Sequence, residues 1–430
     1  MNTLLDYLTV FRSRVGVANV VLPLVGLTAA RTETILRKLR EVLDQRVEVD
    51  VAEPTAARLL DYLVEKQLIG PRPRRSGRYS RYVLVKSEGH WLARSVQGEP
   101  LARLPVFQTD LWFSDLRLRS TVGLPTPDNN EEVYDFCLNL GILSKAKGSR
   151  TAAGQTAMAL RGTSASEENP FVLGLETAAL LRQVVERDGL ILCELVRELA
   201  GSQAEFRRDD LLPDRFIGVA RRAYESARQH QLRPEVTTQA RAFLRLLEET
   251  AAKKARTRRT ATANQGRPSS EGPGVLEHRL APRLEWLTDF GILTKDGLQR
   301  NGFSYRQTSL VAEFLARLDE YVQGTMTSED VALATSVRDP RWTTQRQGLL
   351  VSSVEEALLA GYRKIQMSVG PAPIREVCFL AAVQLDPVQQ VIQLQAHLLQ
   401  WAEREPGIRL SGGRYSREPE MVHFSDKVLQ

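Results

Sequence analysis

A short unit that recurs along the chain limits the folds that the chain can adopt. The unit is an amphipathic helix that ends at a glycine beside an Ile-Leu or Leu-Ile pair, followed by a polar, turn-rich stretch. Copies lie at residues 56–70, 131–145 and 284–295, and a weaker one starts with a long amphipathic segment at 387–405. Apolar residues at helical spacing predict that each helix buries one stripe, and the glycine predicts a left-handed cap at its end. The chain is therefore predicted to be mainly α with small β-hairpins.

The polar stretches after these helices are expected to form two-stranded hairpins. After the first helix, residues 78–85 alternate enough to predict a strand. The sequence Gly-Arg-Tyr-Ser-Arg occurs at residues 77–81 and again at 413–417, both times at an expected hairpin tip. Duplication of a module would explain this repeat, and coincidence or convergence is the alternative.

A helix, a glycine cap and a two-stranded wing together resemble the end of a winged helix-turn-helix domain. The resemblance covers about half of the chain in pieces and is not specific to one family within that superfamily. It implies tandem winged-helix-like modules, and residues 32–43 are the expected helix before the first unit. A linker precedes the third unit, so the remaining helices of that module would have to come from elsewhere in the chain.

The regions between these units complete the predicted organisation. Residues 170–249 show apolar stripes at helical spacing, which predicts a central helical bundle. Residues 251–273 are poor in apolar side chains, which is typical of a linker. The predicted division is a winged-helix-like module with a basic wing at 1–98, a second such module at 99–165, a helical domain at 166–250, a basic flexible linker at 251–273 and C-terminal winged-helix-like domains at 274–430.

The tip of the first hairpin is the strongest candidate for binding. It contains Arg72, Arg74, Arg75, Arg78, Tyr79 and Arg81. Arginine forks match the geometry of phosphate, and tyrosine can pack on a sugar or a base, so these residues are predicted to contact nucleic acid. The alternative is a solvated polar loop.

Other basic residues are weaker candidates of the same kind. They are Lys145, Lys147 and Arg150 at the second hairpin, Arg300 and Arg306 at the third, and Arg414, Tyr415 and Arg417 at the fourth. The linker adds Lys253, Lys254, Arg256, Arg258 and Arg259, whose mutual repulsion predicts an extended segment. That segment is either an arm along a nucleic-acid backbone or a solubilising tether.

A candidate recognition helix is predicted at residues 28–43. Arg37, Lys38 and Arg40 populate one side of it, and Ile35 and Leu39 lie on the other. A basic face opposite an apolar stripe suits a helix in the major groove, although ordinary surface helices share the pattern.

Catalytic motifs are absent from the sequence. It contains no P-loop, no dinucleotide-binding glycine motif, no nucleophile elbow and no kinase signature. A nuclease motif built on Glu194 would need a lysine two residues later, and that position is Val196. The paired acids at 209–210 and 355–356 are expected to be helix caps or surface charges.

Metal and cofactor sites are not predicted either. The three cysteines lie far apart in apolar settings and are expected to be buried thiols, and the five histidines have no ligand spacing. The apolar run at 15–27 is short and contains Pro23, so neither a signal peptide nor a membrane span is expected. The protein is therefore expected to be cytoplasmic.

Together these patterns predict a non-enzymatic nucleic-acid-binding subunit or scaffold of a larger prokaryotic complex. The net charge is +6, the basic residues are clustered, and duplex DNA is the expected nucleic acid, with protein partners in addition. The alternatives are a kleisin-like scaffold that tethers an ATPase or nuclease without contacting DNA, an unrecognised nuclease, and a sequence-specific regulator. The sequence does not identify the protein partners, the preferred DNA sequence or the pathway. It also does not show whether the chain binds RNA or DNA.

Overall fold

The computed structural model of the chain describes residues 15–26, 31–44, 82–87, 90–95, 100–103, 106–107, 110–111, 130–144, 148–161, 173–263, 275–299, 302–366, 370–412 and 419–429. Over these residues the protein is mainly helical, with small antiparallel sheets of two or three strands. This part of the predicted fold class is confirmed. None of the described helices combines the length and the apolar run that crossing a bilayer requires.

The N-terminal part, up to Arg161, combines short helices with two small sheets. Its elements are α1 (Ala18–Val21), α2 (Thr32–Asp44), β1 (Tyr82–Ser87), β2 (His90–Ser95), β3 (Pro100–Arg103), β4 (Val106–Phe107), β5 (Asp110–Leu111), α3 (Asn130–Leu140) and α4 (Ala152–Arg161). Strands β1, β2 and β3 form an antiparallel meander, and the strand predicted at 78–85 falls partly on β1. The pairing of β2 with β3 crosses the domain boundary predicted at residue 98. That boundary is wrong, because it would cut through a sheet.

The central part contains the predicted helical bundle and a three-stranded sheet. Its elements are α5 (Thr177–Ala200), β6 (Glu205–Arg207), α6 (Asp214–Gln229), α7 (Pro234–Ala263), α8 (Val275–Asp289), β7 (Leu293–Gln299) and β8 (Gly302–Gln307). Helix α6 packs against both α5 and α7, as the apolar stripes predicted. The hairpin β7–β8 was also predicted. Its third strand is β6, which pairs with β8 so that the sheet has the order β6–β8–β7.

The C-terminal part also combines helices with one three-stranded sheet. Helices α9 (Leu310–Gln323), α10 (Ser328–Ser336) and α11 (Pro340–Arg346) come first, followed by α12 (Val354–Ile365), β9 (Ala372–Pro373), α13 (Ile374–Gln384), α14 (Val391–Arg404), β10 (Ile408–Gly412), β11 (Pro419–Phe424) and α15 (Asp426–Leu429). The predicted hairpin β10–β11 is present. A short strand from before α13 again completes the sheet, which has the order β10–β11–β9.

Two glycines end helices in the way that the recurring unit predicted. Gly141 follows α3 with φ of 84°, and Gly291 follows α8 with φ of 72°, both in the left-handed region. After α8 the amide of Ile292 donates to the carbonyl of Leu287 at 2.9 Å, which closes the helix end. Gly70, at the end of the first predicted helix, lies outside the described residues.

Buried ion pairs join segments that lie far apart in sequence. Arg283 on α8 donates two hydrogen bonds to Asp188 on α5, at 2.7 and 2.8 Å, and neither side chain is exposed to solvent. Arg182 on α5 donates to Glu376 on α13 at 2.8 and 2.9 Å. Because these contacts and the β6–β8 pairing connect residues before 250 with residues after 274, the predicted separation of a 166–250 domain from a 274–430 region is wrong.

Candidate nucleic-acid interface

Helix α2 presents the basic face that the sequence predicted. Ile35 and Leu39 are buried, while Arg37, Lys38 and Arg40 are exposed. The helix is held from behind by Asn130 at the start of α3, whose side chain donates to the Leu36 carbonyl at 3.0 Å. The exposed cations therefore lie on a helix that is anchored through its apolar side. Readout of bases by this helix stays a prediction.

Helix α7 contains the basic run that was predicted to be an extended linker. The helix continues through Thr250 to Ala263, so the prediction of a flexible segment starting at 251 is wrong for residues 251–263. Alanine, lysine and arginine are strong helix formers. This intrinsic propensity outweighs the repulsion between neighbouring charges on which the prediction rested. Lys253 is exposed on this helix, and Lys254, Arg256, Arg258 and Arg259 occupy helical positions.

Exposed arginines on the first half of α7 were missed at the sequence level. Val236, Ala240, Phe243 and Leu247 are buried and attach the helix to the body of the protein. The positions between them carry the exposed Arg241 and Arg245. The signal that could have found them is the helical spacing itself, because residues 241 and 245 lie one turn apart opposite the apolar stripe. 

Neighbouring acids neutralise part of the charge near α7. Arg221 on α6 donates to Glu248 on α7 at 2.9 Å, and both side chains are about half exposed. After Glu249, however, every charged residue of α7 is basic. The positive charge of this helix is therefore concentrated toward its C-terminal end.

Two predicted phosphate contacts have other surroundings in the structure. The backbone of Arg150 forms an isolated antiparallel β-bridge with Leu143. Its Nε atom is buried without a hydrogen-bond partner among the described residues, and burial lowers the pKa of its guanidinium. Arg306 lies opposite Glu205 in the sheet, with an ion pair of 3.6 Å. Arg150 is therefore partly buried, whereas Arg306 is exposed beside an acidic partner.

The other predicted contacts cannot be placed on this surface. Residues outside the described ranges are Arg72, Arg74, Arg75, Arg78, Tyr79, Arg81, Lys145, Lys147, Arg300, Arg414, Tyr415 and Arg417. The first hairpin tip, which was the strongest prediction, is among them.

The helix that precedes the third hairpin is unsuited to entering a groove. Helix α8 buries Leu280, Leu284 and Trp286, and its last residue, Asp289, accepts a hydrogen bond from the amide of Val15 at 2.6 Å. Because its described side chains are covered by the protein, α8 cannot present them to base edges.

The acidic residues considered for a nuclease site have structural partners. Glu194 is buried on α5, where Arg197 and Arg222 donate to it, the latter at 3.2 Å. Asp210 accepts from the amide of Arg207 at 2.7 Å and caps a short helical turn, as the sequence predicted. Among the described residues, no group of three or more His, Cys, Asp or Glu is arranged to hold a metal ion.

The three cysteines are buried, as predicted. Burial raises the pKa of the Cys378 thiol to about 12 and also raises that of Cys137. Because the thiolate is the nucleophile and the metal ligand, these thiols are held in their inert form.

Comparison of the chain with family models, curated proteins and solved structures gave no match.

Proposed function

We propose that the chain is a non-enzymatic nucleic-acid-binding subunit of a larger complex. Duplex DNA is the expected nucleic acid, and contacts with phosphates are the expected source of affinity. The observation that carries the proposal is the α7 surface, where exposed Arg241, Arg245 and Lys253 precede four further basic positions on one helix. Phosphate contacts dominate the affinity of proteins for duplex DNA.

The dimensions of α7 fit a duplex backbone. Its 30 residues make a helix about 45 Å long. One turn of a duplex is about 34 Å long, and a helix of this length can therefore reach backbone phosphates on both sides of a groove. The helix also keeps its cations at fixed spacing, so less conformational entropy is lost on binding than for an extended arm.

Two similar orders of elements support the proposal of winged-helix-like modules. In the C-terminal part the order is α12, β9, α13, α14, β10 and β11, and the short strand β9 pairs with the second strand of the hairpin. In the central part α5, β6, α6 and α8 precede the hairpin β7–β8, with α7 as an additional helix, and β6 again pairs with the second strand. A winged helix has this order of helices and strands, and the early helices of the third unit would then come from before the basic run.

The buried position of α8 shapes the proposal. In a typical helix-turn-helix complex the helix before the wing enters the major groove. Since α8 is covered by the protein, the central module would bind through α7 and its phosphate contacts. Binding of this kind depends steeply on salt and little on sequence.

A salt titration of binding to duplex DNA tests the proposal. The test variant carries Arg256→Ala, Arg258→Ala and Arg259→Ala, because alanine keeps the helix. We expect the slope of log K against log salt concentration to fall by about 2 to 3, since each lost phosphate contact removes about 0.9. The control variant replaces the exposed arginines 363, 404 and 409 of the C-terminal part with alanine, and its slope should stay at the wild-type value. Equal slopes for all three proteins, or no duplex binding at low salt, would refute the α7 proposal.

A protein-interaction scaffold is the second candidate function. The observation that favours it is helix α14, which contains no Lys, Arg, Asp or Glu from Val391 to Gln400 and exposes Ile392 there.

A further inference from the structure

Several helices meet around a cavity of about 330 Å³. Its wall is formed by residues of α5, α9, α10, α13 and α14 and by Arg233, which directly precedes α7. At about 30 Å³ for each water, the cavity has the volume of about ten water molecules, so a ligand with on the order of ten non-hydrogen atoms would fill it. Binding sites for small molecules start at about this size.

An ion pair on the cavity wall leaves one atom of each partner available. Arg375 on α13 donates through Nε to Glu329 and through Nη2 to Glu186, and Nη2 also donates to the Ser328 hydroxyl at 3.2 Å. No described residue forms a hydrogen bond with Nη1 of Arg375 or with Oε2 of Glu186. The Arg375 side chain is 48% exposed and that of Glu186 is 15% exposed. Because the two groups are bonded to each other, the wall offers a cationic donor and an anionic acceptor close together.

The charges on the wall cancel. Arg233 and Arg375 balance Glu186 and Glu329. Burial by itself would raise the pKa of Glu329, but the hydrogen bond from Arg375 and the charges of Arg182 and Arg375 lower it below its usual range, so this carboxylate is ionised. An anionic ligand such as a nucleotide would be repelled by the two carboxylates, and a simple cation by the two guanidinium groups. A ligand that carries both charges and no net charge avoids either repulsion.

The uncharged part of the wall has both polar and aliphatic groups. The Tyr321 hydroxyl and the Gln395 side-chain amide form no hydrogen bond with the described residues. Burial and the charges of Glu186 and Glu329 raise the pKa of Tyr321, which keeps its hydroxyl protonated and able to donate. Ile392 also lines the cavity and is 56% exposed, so an apolar ligand group placed on it would remove aliphatic surface from water.

We propose that this cavity binds a free α-amino acid with an apolar side chain. The ligand carboxylate would accept from Nη1 of Arg375, its ammonium group would donate to Oε2 of Glu186, and its side chain would lie on Ile392. An α-amino acid carries its two charges on either side of one carbon atom, which matches a donor and an acceptor that belong to one ion pair. The larger apolar amino acids also have about the number of atoms that the cavity holds. The proposal does not depend on nucleic-acid binding.

Calorimetric titration of the full chain with L-leucine, L-isoleucine, L-methionine and L-phenylalanine tests the site. We expect at least one of them to bind with one molecule per chain. The acetylated amino acid lacks the ammonium charge and its amide lacks the carboxylate charge, so each should bind at least about tenfold more weakly. Inorganic phosphate and adenosine monophosphate should not compete with the amino acid.

Two variants with matched controls assign the binding to this cavity. Glu186→Gln removes the anionic acceptor at nearly constant shape and should weaken binding at least about tenfold, whereas Glu225→Gln, at an exposed position of α6, should bind as the wild type does. Ile392→Ala changes an exposed side chain, so the fold is preserved, and it should weaken binding about threefold to tenfold. Its control is Leu350→Ala, at the other exposed large aliphatic side chain of the described residues. Thermal melts of all four variants check that the chain is folded.

Four results would overturn the proposal. The first is that none of the four amino acids binds. The second is that the acetylated and amidated forms bind as tightly as the free amino acid. The third is competition by phosphate or by adenosine monophosphate. The fourth is unchanged amino-acid affinity in folded Glu186→Gln and Ile392→Ala, which would place the binding elsewhere on the chain.

Discussion

The ion pair between Arg283 and Asp188 should be the most sensitive polar contact of the core. Both side chains are fully buried, and Arg283 also lies over the rings of Phe243 and Trp286. Removing Arg283 takes two hydrogen bonds and the opposite charge away from the buried Asp188 carboxylate, so Arg283→Met should lower the free energy of unfolding by about 3 to 5 kcal/mol. Denaturant titration measures this change. The control is Arg221→Met, which breaks the exposed pair with Glu248 and should change stability by less than about 1 kcal/mol.

A second variant separates the charge from the packing. Replacing both partners, as Arg283→Met with Asp188→Leu, removes the buried carboxylate as well and should recover a large part of the lost stability. A double variant as unstable as the sum of the two single variants would contradict this interpretation and attribute the loss to packing alone.

Residue identity alone showed which side chains are cationic but not which of them form ion pairs within the protein. The sequence treats Arg306 as a candidate for phosphate contact like any other exposed arginine. The structure pairs it with Glu205, from a strand about a hundred residues earlier. Such pairings depend on which strands become neighbours, and no local pattern encodes that.

At the scale of elements, the last turns of α7 distinguish a basic helix from a basic tether. Residues 251–263 contain few apolar side chains, so intrinsic helix propensity contributes most of the helical stability there. Ala255→Gly with Ala261→Gly should weaken this helix by about 2 kcal/mol at unchanged charge. We expect a clear fall in duplex affinity, because the cations lose their fixed spacing. Ala255→Gln with Ala261→Gln is the control that keeps a good helix former, and it should bind as the wild type does.

The comparison of these two variants shows whether the cations of α7 act from a helix or from an extended chain. Equal affinity of the glycine and glutamine variants would mean that the cations act as an extended chain. Circular dichroism of both proteins would show that the glycines reduce the helical content. 

Hairpins and capped helices could be predicted from the sequence, because their signals are local. Gly291, the apolar spacing before it and the polar turn after it lie within about thirty residues, and they correctly predicted α8 and the β7–β8 hairpin. The third strand of each sheet was not predicted. Strands β6 and β9 have only three and two residues, too few for an alternating pattern to be recognised.

At the scale of the whole molecule, the composition of residues 251–273 was a misleading guide to domain division. A stretch without apolar residues indicates where little core is built, but it does not say that the cores on its two sides are separate. Here α5, from before the stretch, packs against α9 and α10, from after it. Long-range pairing of this kind is invisible to composition.

Separate production of the two halves tests this architecture. We expect residues 1–263 and 275–430, expressed apart, to lack a cooperative thermal transition, because each would expose a partner surface: the edge of β8, and the buried Asp188 and Arg283 without their counterparts. Expressed together, with a tag on one fragment only, they should copurify and melt as one unit. The same pair carrying Arg283→Met should copurify less, whereas Arg221→Met should leave the association unchanged. Two fragments that each fold cooperatively alone and do not associate would restore the division that the sequence predicted, and the contacts between α5 and the C-terminal helices would then contribute little to stability.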